Sequence, residues 1–428
     1  MKLNLTRTLV TLALVALVLL CAHFGALSPG AAIALLALAY FAASFAYAPR
    51  TSALLLGAVT PQFLFDLESN MQQITENEYL RMVKELWWTR IGRRIPSKNK
   101  RERIAWMLAT AQIRSQGLGG NIEIDDLVAT SAEYVNLNAG AGLKLTRDKL
   151  EDNDGAGLDL AGKWSSDIGA YMAYWPQKQI VRAILNGGNT NGSANGYDAV
   201  PFFSTAHPVN PVDPGLASIT FANDFTGAAS GVYPGALPID DAVHGGYDGT
   251  VNMAIINLAK AIAYIRGIVK MPNGEDPRYL KPVTILAPPR MTARVQQLTN
   301  AKFIAQVAGS GAGGSADISM LVRNWGLVDP VEVLELSAGQ TYTMDDGTVV
   351  TGSDTTWYLA CEEITSSQLG ALVYVDREPF SIAYYSGFGG AGAFDSQLAR
   401  QREFEWLCQG RNVTGYGHPY MLYRFQAT

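Results

Sequence analysis

The hydrophobic pattern separates an apolar N-terminal stretch from a longer part that contains amphipathic elements. From Thr8 to Pro49 there is no Asp, Glu, Lys or Arg, and two apolar runs flank a Ser-Pro-Gly turn signal. Each run approaches the length of a bilayer span. This apolar helical hairpin, residues 1–57, has three possible roles: a membrane contact through residues 8–48, a removed export segment, or a hairpin buried against protein.

After Pro61 the pattern becomes that of a mixed α+β protein. Apolar residues at helical spacing predict one or two helices up to Pro96, and partial alternation with Gly-rich turns over 107–147 predicts a long hairpin. A long helix is predicted at about 160–187. Its apolar face comprises Trp164, Ile168, Tyr171, Trp175, Ile180 and Ile184. Further strands and helices follow, separated by Gly-rich breaks.

Composition narrows the class of protein. The 428 residues are 48% hydrophobic and carry a formal net charge of −5, which argues against a surface built as a whole to coat nucleic acid. The three cysteines, Cys21, Cys361 and Cys408, are far apart and form no metal-ligand pattern. We therefore expect no disulfide framework, no metal and no cofactor.

One segment is strongly basic. Between residues 81 and 103 there are nine basic residues against two acidic ones. The basic residues are Arg81, Lys84, Arg90, Arg93, Arg94, Lys98, Lys100, Arg101 and Arg103. Trp87, Trp88 and Trp106 interleave with them, a composition typical of a surface that meets phosphates or acidic neighbours. A solvated face with internal salt bridges is the alternative.

The stretch YDAVPFFSTAHPVNP, residues 197–211, holds the residue types of a hydroxyl nucleophile and its base. Ser204, His207 and Asp213 are candidates, but no GxSxG elbow occurs in the chain. The aromatic residues around them favour a structural loop anchored in the hydrophobic core over a catalytic cluster. The glycines of GSGAGG, at 309–314, are followed by no Lys-Ser/Thr pair, which argues against a phosphate cradle. We therefore expect no enzymatic activity.

Several motifs together carry a resemblance to a known family. YDAVPFFSTAHPV resembles the "YDG-x-FF-x-x-x-HPV" signature of the major head subunit of Mu-like phages, although Ala199 stands where that signature has Gly. LTRDKLEDNDGAGLDL resembles the family's acidic segment before its long helix, and WPQKQIVRAILNGG resembles the end of that helix. KPVTILAPPRMTARVQQLTN resembles a strand and the helix after it. WYLACEE with ALVYVDREPFSIAYYSG is similar to its late strand pair, and GRNVTGYGHPYMLYR to its closing "R-x-x-x-GYG" strand.

The resemblance covers about residues 60–428 and implies the Hong Kong 97-type phage capsid fold, with the apolar hairpin as an addition that has no counterpart in the family. The implied parts are an N-terminal arm at 58–105, an extended loop at 106–147, a peripheral domain with a spine helix at 148–249, an axial domain at 250–375, and C-terminal return strands to the peripheral domain at 376–428. The structural residues of the signature loop are Tyr197, Asp198, Phe202, Phe203, His207 and Pro208.

The implied function is that of a structural major capsid protein. Copies of the chain would form pentamers and hexamers of an icosahedral shell around double-stranded DNA, with the basic arm facing DNA or a neighbouring subunit. Portal, scaffold and decoration proteins are possible partners, and the protein is expected in the virion capsid after assembly in the host cytoplasm. A protein nanocompartment of the same fold and a membrane-anchored surface protein are the alternatives.

Overall fold

The computed structural model describes eight stretches of the chain. They are residues 61–107, 129–146, 156–213, 215–226, 253–300, 330–363, 370–384 and 403–426. The predicted apolar hairpin at 1–57 and the glycines at 309–314 lie outside these residues. Among the helices within them, none is long and apolar enough to cross a membrane.

The described stretches contain both α-helices and runs of consecutive β-strands, which confirms the predicted α+β class. The helices are α1 (Pro61–Val83), α2 (Ala156–Asn186), α3 (Met253–Gly267) and α4 (Pro289–Asn300). The strands are β1 (Gly92–Pro96), β2 (Arg101–Met107), β3 (Ala129–Val135), β4 (Leu137–Thr146), β5 (His207–Pro208), β6 (Thr220–Phe221), β7 (Asp224–Thr226), β8 (Leu280–Ala287), β9 (Val331–Glu332), β10 (Thr341–Thr343), β11 (Val349–Thr351), β12 (Thr356–Glu363), β13 (Leu372–Tyr384), β14 (Glu403–Tyr416) and β15 (Leu422–Gln426).

Two sheets organise the described part of the chain. One has the strand order β1-β13-β14-β4, and the other has the order β7-β15-β12-β8-β9. The largest hydrophobic cluster joins the second sheet to α3 and to the C-terminal half of α2, with Trp357 and Phe425 stacked at 4.0 Å between ring centroids. A second cluster lies between α1, the N-terminal half of α2 and β14. Helix α2 therefore contributes side chains to both hydrophobic clusters.

The segments WYLACEE and ALVYVDREPFSIAYYSG, which resemble a strand pair of the family, do not pair with each other. Strands β12 and β13 are neighbours in sequence but lie in different sheets. The C-terminal segment also divides: β14 pairs with β13 and β4, whereas β15 pairs with β12 and β7. The final strand thus closes the sheet of β8 and β12, because its apolar residues Leu422, Tyr423 and Phe425 complete that sheet's core.

The predicted hairpin over 107–147 also takes a different form. Strand β2 begins at Arg101 and pairs with β3, while β4 continues after a single residue and pairs with β14 over its whole length. The chain therefore passes from the hairpin directly into the first sheet.

Helices α1 and α2 approach each other closely. Thr75 is buried, and its single hydroxyl proton is shared between two acceptors, the carbonyls of Met71 at 2.8 Å and Ser165 at 3.0 Å. Gly169 lies opposite, where a Cβ atom would come within 2.5 Å of the Thr75 carbonyl oxygen. Ile74, Leu80 and Val83, which are apolar residues near helical spacing in this segment, are nevertheless exposed. Small and polar residues therefore make this contact, which helical periodicity of apolar residues does not reveal.

We expect Gly169→Ala to lower the free energy of unfolding by about 2 kcal/mol, because overpacking at the Thr75 backbone outweighs the better helix propensity of Ala. Gly162 is the matched control, since it lies in the same helix with no atom within 4 Å of an added Cβ. Gly162→Ala is expected to stabilise the protein by up to about 1 kcal/mol. Urea denaturation measures both, and equal effects of the two substitutions would contradict this packing.

Candidate functional site

The candidate site is the signature loop, which we define as residues 197–211, together with the chain segments that hold it. His207 is fully buried at its centre. Its Nδ1 lies 2.6 Å from Asp198 Oδ2, and its Nε2 lies 3.1 Å from the Phe202 carbonyl oxygen and 3.2 Å from Asn223 Oδ1. The ring also stacks on Phe221 at 5.2 Å between centroids. Both ring nitrogens therefore face oxygen acceptors, an arrangement that suits a doubly protonated imidazolium beside a carboxylate.

The atom of Asn223 that faces His207 Nε2 is the amide oxygen, because the orientation of the amide follows from its other hydrogen bonds. Its Nδ2 donates to the carbonyls of Phe202 at 2.7 Å and Pro419 at 2.9 Å, while its Oδ1 accepts from the Ser204 backbone N–H at 2.9 Å. Asn223 is itself fully buried. This side chain joins the signature loop to the segment that precedes β15.

The candidates for hydroxyl catalysis do not assemble into a triad within the described residues. The Ser204 hydroxyl accepts a hydrogen bond from the Ala206 backbone, and no hydrogen bond joins it to His207 among these residues. Asp213 is exposed and accepts from the backbone N–H of Gly215 at 2.8 Å. His207 has Asp198 as its carboxylate partner, so its geometry serves to hold the loop and not to activate Ser204.

The aromatic residues of the loop anchor it in the core. Phe202 and Phe203 are buried, and Phe202 stacks on Tyr416 at 5.1 Å between centroids. The Arg424 guanidinium lies 4.6 Å from the Phe203 ring centroid, while Arg424 also forms a two-fold hydrogen-bonded pair with Asp224. The loop is thereby attached to β14, β7 and β15.

A buried polar cluster adjoins the loop on the side of Tyr197. The His418 ring lies 6.2 Å from that of Tyr197, and the Arg278 guanidinium lies 3.6 Å from the Tyr420 ring centroid and pairs with Glu363. Burial, together with the positive charge of Arg278, lowers the pKa of His418 to about 3. His418 is therefore neutral at physiological pH.

Ala199 is strained at the position where the family signature has Gly. Its φ is +59°, in the left-handed region, and no other non-glycine residue among those described has a positive φ. The backbone N–H of Gly196 donates to the Val200 carbonyl across this turn at 2.9 Å. The loop therefore keeps a turn that Gly adopts without strain.

We expect Ala199→Gly to raise the free energy of unfolding by about 1 kcal/mol, because removal of the Cβ relieves left-handed strain at more than the cost in chain entropy. The control is Ala217→Gly, at an exposed position outside the left-handed region, which is expected to be neutral or destabilising. Thermal unfolding distinguishes the two, and a destabilised Ala199→Gly variant would refute the strain.

The structure places all nine basic residues of the 81–103 segment at exposed positions, between the end of α1 and β2. Some of them are paired: Arg81 with Glu78 at 2.7 Å, Arg101 with Glu133 at 2.8 Å, and Arg94 with Asp376. Within the described part of the chain, Lys84, Lys98 and Lys100 have no ion pair.

The tryptophans of this segment require a correction. Trp87 and Trp88 are buried in the main cluster, where Trp88 packs on Tyr374 at 5.8 Å between centroids. They anchor the segment to the core and do not belong to its charged surface. Their spacing among basic residues suggested the opposite, because sequence proximity does not indicate which side of a short 3-10 turn is buried. The Trp106 side chain lies outside the description.

The closing GYG motif contributes a second attachment. The Tyr134 hydroxyl on β3 donates to the Tyr416 carbonyl at 2.6 Å, and its ring lies where a Cβ of Gly415 would be. A Cβ at Gly417 would likewise overlap the Gly370 carbonyl oxygen. Both glycines therefore permit close approach: an aromatic ring lies against Gly415 on β14, and backbone lies against Gly417 directly after that strand.

Sequence reasoning missed Asn223 and Tyr134 as members of the site. Asn223 follows a short alternating run, and Tyr134 reads as an ordinary strand residue. Their roles depend on partners 196 and 282 positions away, Pro419 and Tyr416. The only signal for Tyr134 is the pair of glycines in GYG, which indicates that something large lies against that strand.

Comparison with known proteins gives one family match. Residues 68–233 match the family described as Mu-like prophage major head subunit gpT. The matched segment contains the basic segment, most of α1, all of α2 and the signature loop with Asn223. No curated protein matches the chain in sequence.

Solved structures of phage capsids are similar over much of the chain at low identity. The procapsid of bacteriophage JBD30 is 15% identical, with 86% of this chain and 75% of that one covered and a TM-score of 0.39. The mature capsid of bacteriophage PhiM1 is 12% identical, with 80% and 87% covered and a TM-score of 0.45. The capsid of cyanophage P-SCSP1u is 13% identical, with 79% and 86% covered and a TM-score of 0.45.

The family match supports an assignment for residues 68–233. The described helices and strands confirm the predicted α+β class, while the Hong Kong 97 type and the apolar hairpin remain predictions. The resemblance inferred from the motifs is likewise confirmed: over residues 68–233 this chain matches the major head subunits of Mu-like prophages.

Proposed function

We propose that the chain is a structural major head subunit, of which many copies close into an icosahedral shell around double-stranded DNA. The observation that carries this proposal is the match to the Mu-like major head subunit over 68–233. The nanocompartment and the membrane-anchored protein are not favoured by that match. The signature loop would then serve assembly by fixing the relative positions of the two sheets, with no turnover of a substrate.

Electron microscopy of the purified full-length chain tests this function. Closed icosahedral particles are the expected result, and a chain beginning at Val59 would show whether the apolar hairpin is required for closure. A full-length chain that stays a dispersed monomer under conditions that promote assembly would overturn the proposal. Small oligomers that form only in detergent would favour the membrane protein instead.

The proposed shell gives each predicted partner a place. Other copies of the chain are the main partner, in pentamers and hexamers, and the assembled protein would reside in the virion capsid after assembly in the host cytoplasm. Portal, scaffold or decoration proteins would bind the finished or growing shell. The apolar residues 8–48 would line the shell, bridge subunits or touch lipid.

For the basic segment at 81–103 we propose contact with the packaged DNA. Its support is a local charge of nine basic against two acidic residues in a chain whose net charge is −5. Exposure of all nine side chains fits a sequence-independent attraction to phosphates, which weakens as counterions compete at higher salt. Among them, Lys98 and Lys100 are exposed and without an ion pair in the described part of the chain, so they are available to phosphate.

We expect Lys98→Ser with Lys100→Ser to leave shell assembly intact and to weaken DNA retention. The slope of log K against log salt should fall by about 0.9 for each phosphate contact removed. The control pair is Lys163→Ser with Lys281→Ser, which changes the net charge equally from exposed positions elsewhere. Retention of DNA through a salt series measures both, and identical slopes for the two pairs would exclude this contact.

A further inference from the structure

Asn-Gly pairs occur at several turns of the described chain, and the structure distinguishes one of them chemically. The pairs are Asn186-Gly187, Asn191-Gly192, Asn195-Gly196 and Asn273-Gly274. In such a pair the backbone nitrogen of Gly can attack the side-chain amide carbon of Asn, because Gly has no Cβ atom to obstruct the five-membered ring that forms. The attack requires a nitrogen that is not held by another group, an electrophilic amide carbon, and water.

The attacking nitrogen is unrestrained at Gly192. The other three glycines donate their backbone N–H groups to carbonyls of the chain: Gly187 to Ile184 at 3.2 Å, Gly196 to Val200 at 2.9 Å, and Gly274 to Met271 at 2.9 Å. Within the described part of the chain, the Gly192 N–H has no hydrogen-bond partner. Gly192 and Asn191 are both exposed, so water reaches the pair.

The side-chain carbonyl of Asn191 accepts two hydrogen bonds from Ser193. The backbone N–H of Ser193 lies 3.0 Å from Asn191 Oδ1, and the Ser193 hydroxyl lies 2.6 Å from it. Buried Asn186 donates from Nδ2 to Ser193 Oγ at 3.1 Å, which leaves the hydroxyl proton for Asn191. Two donors at this oxygen polarise the amide carbon and stabilise the oxyanion that attack creates, as an oxyanion hole does.

The amide nitrogen of Asn191 faces the β10–β11 turn. Its Nδ2 lies 3.3 Å from Asp346 Oδ2 and 3.2 Å from the Thr348 hydroxyl oxygen. Hydrogen bonds from the backbone and the hydroxyl of Thr348 lower the pKa of Asp346 below its ordinary value, so Asp346 is a carboxylate near neutral pH. A second carboxylate in place of the amide would therefore put two negative charges side by side and repel the turn.

We propose that Asn191 is a site of spontaneous covalent modification, where the side-chain amide becomes a carboxylate by way of a succinimide. The Gly192 nitrogen bonds to the side-chain carbon of Asn191 and loses its proton to water. The bond from that carbon to Nδ2 breaks, and ammonia leaves with a proton from water. Water then opens the ring at either carbonyl, which yields aspartate or isoaspartate. The proposal does not depend on shell assembly, since every residue that carries it belongs to one copy of the chain.

Incubation of the purified, folded, full-length chain at neutral pH tests the site. Fragmentation mass spectrometry locates the conversion of amide to acid at each of the four Asn-Gly pairs. Conversion at Asn191 should be several-fold faster than at Asn195 and Asn273. A rate at Asn191 equal to or below the rates at those two residues would overturn the proposal.

Two variants test the role of the Ser193 hydroxyl. Ser193→Ala removes one donor to the oxyanion, so conversion at Asn191 should slow about fivefold, the effect of one hydrogen bond. Ser193→Thr keeps the hydroxyl and should keep most of the rate. In urea the three chains should react at one rate, because the contact exists only in the folded protein. An unchanged rate in folded Ser193→Ala, or the same slowing in urea, would refute this role.

The modification should also loosen the β10–β11 turn. Asn191→Asp imitates the aspartate product, and hydrogen exchange at the amides of residues 344–348 should become several-fold faster as the two carboxylates repel each other. Thr190→Asp is the matched control, since it adds the same charge at the adjacent exposed position and leaves the Asn191 amide in place. Equal exchange in the two variants would contradict this effect of the new charge.

Discussion

Asp198→Asn is expected to lower the free energy of unfolding by about 3–5 kcal/mol, because it leaves His207 buried without its counter-charge. Both side chains are fully buried, and Asp198 is the charged group in contact with the ring. The remaining contacts of the ring nitrogens, the Phe202 carbonyl and Asn223 Oδ1, are neutral acceptors and do not replace the carboxylate. Chemical denaturation of the purified chain measures the loss.

The matched control is Asp213→Asn, two residues after the signature loop, where the carboxylate is exposed and bonds only within its own turn. That change should stay within about 0.5 kcal/mol. Asp198→Asn combined with His207→Gln removes both charges and should cost less than the sum of the two single changes. Additive effects would show that the two residues act independently, in contradiction to a buried ion pair.

Gly415→Ala is expected to cost about 3 kcal/mol, the upper part of the range for overpacking, because the new Cβ would overlap the buried ring of Tyr134. A shift of the ring away from the new Cβ would also disturb its hydrogen bond to the Tyr416 carbonyl. The substitution should destabilise the β2–β3 hairpin locally as well as lower the free energy of global unfolding, since Tyr134 holds the hairpin against β14. Hydrogen exchange of the β3 amides and denaturation report the two effects.

Gly339→Ala is the control, since an added Cβ there has no neighbour within 4 Å. Its effect should lie within about 0.5 kcal/mol of zero. In a Tyr134→Ala background, Gly415→Ala should cost almost nothing, because the obstructing ring is gone. A full cost in that background would mean that Gly415 is required for its backbone and not for the space it leaves.

Together the two predictions concern how the loop and the hairpin are held to a common strand. Phe202 stacks on Tyr416, and Tyr134 bonds to the carbonyl of the same residue. The Tyr416 hydroxyl also reaches the Ala183 carbonyl of α2 at 3.0 Å. One residue of β14 therefore connects α2, the signature loop and the β2–β3 hairpin.

The local sequence pattern was sufficient to predict the long helix α2. The periodic apolar residues around Ile168, Ile180 and Ile184 predicted α2, and those three residues are indeed buried. Glycines after Asn186 ended the helix where the structure ends it. These features can be recognised in a short window of sequence because the spacing of a helix face and the conformational preferences of Gly act over a few residues.

Local pattern was insufficient wherever burial depended on a distant partner. Trp87 and Trp88 looked like part of a charged surface and are core residues. Thr75, a polar residue on an amphipathic helix, is buried where that helix meets α2. In each case the deciding neighbour is far away in sequence, so no short window contains the information.

By itself the sequence determined the mixed α+β class, the order of the elements, the family resemblance and the basic segment, since composition, periodicity and motif order are properties of the chain alone. Only the tertiary structure decided that β15 joins the sheet of β12, that Asn223 and Asp198 enclose His207, and that Gly415 makes room for Tyr134. The physical reason is that hydrogen-bond partners and close packing depend on the distance between residues in space, which the sequence does not express.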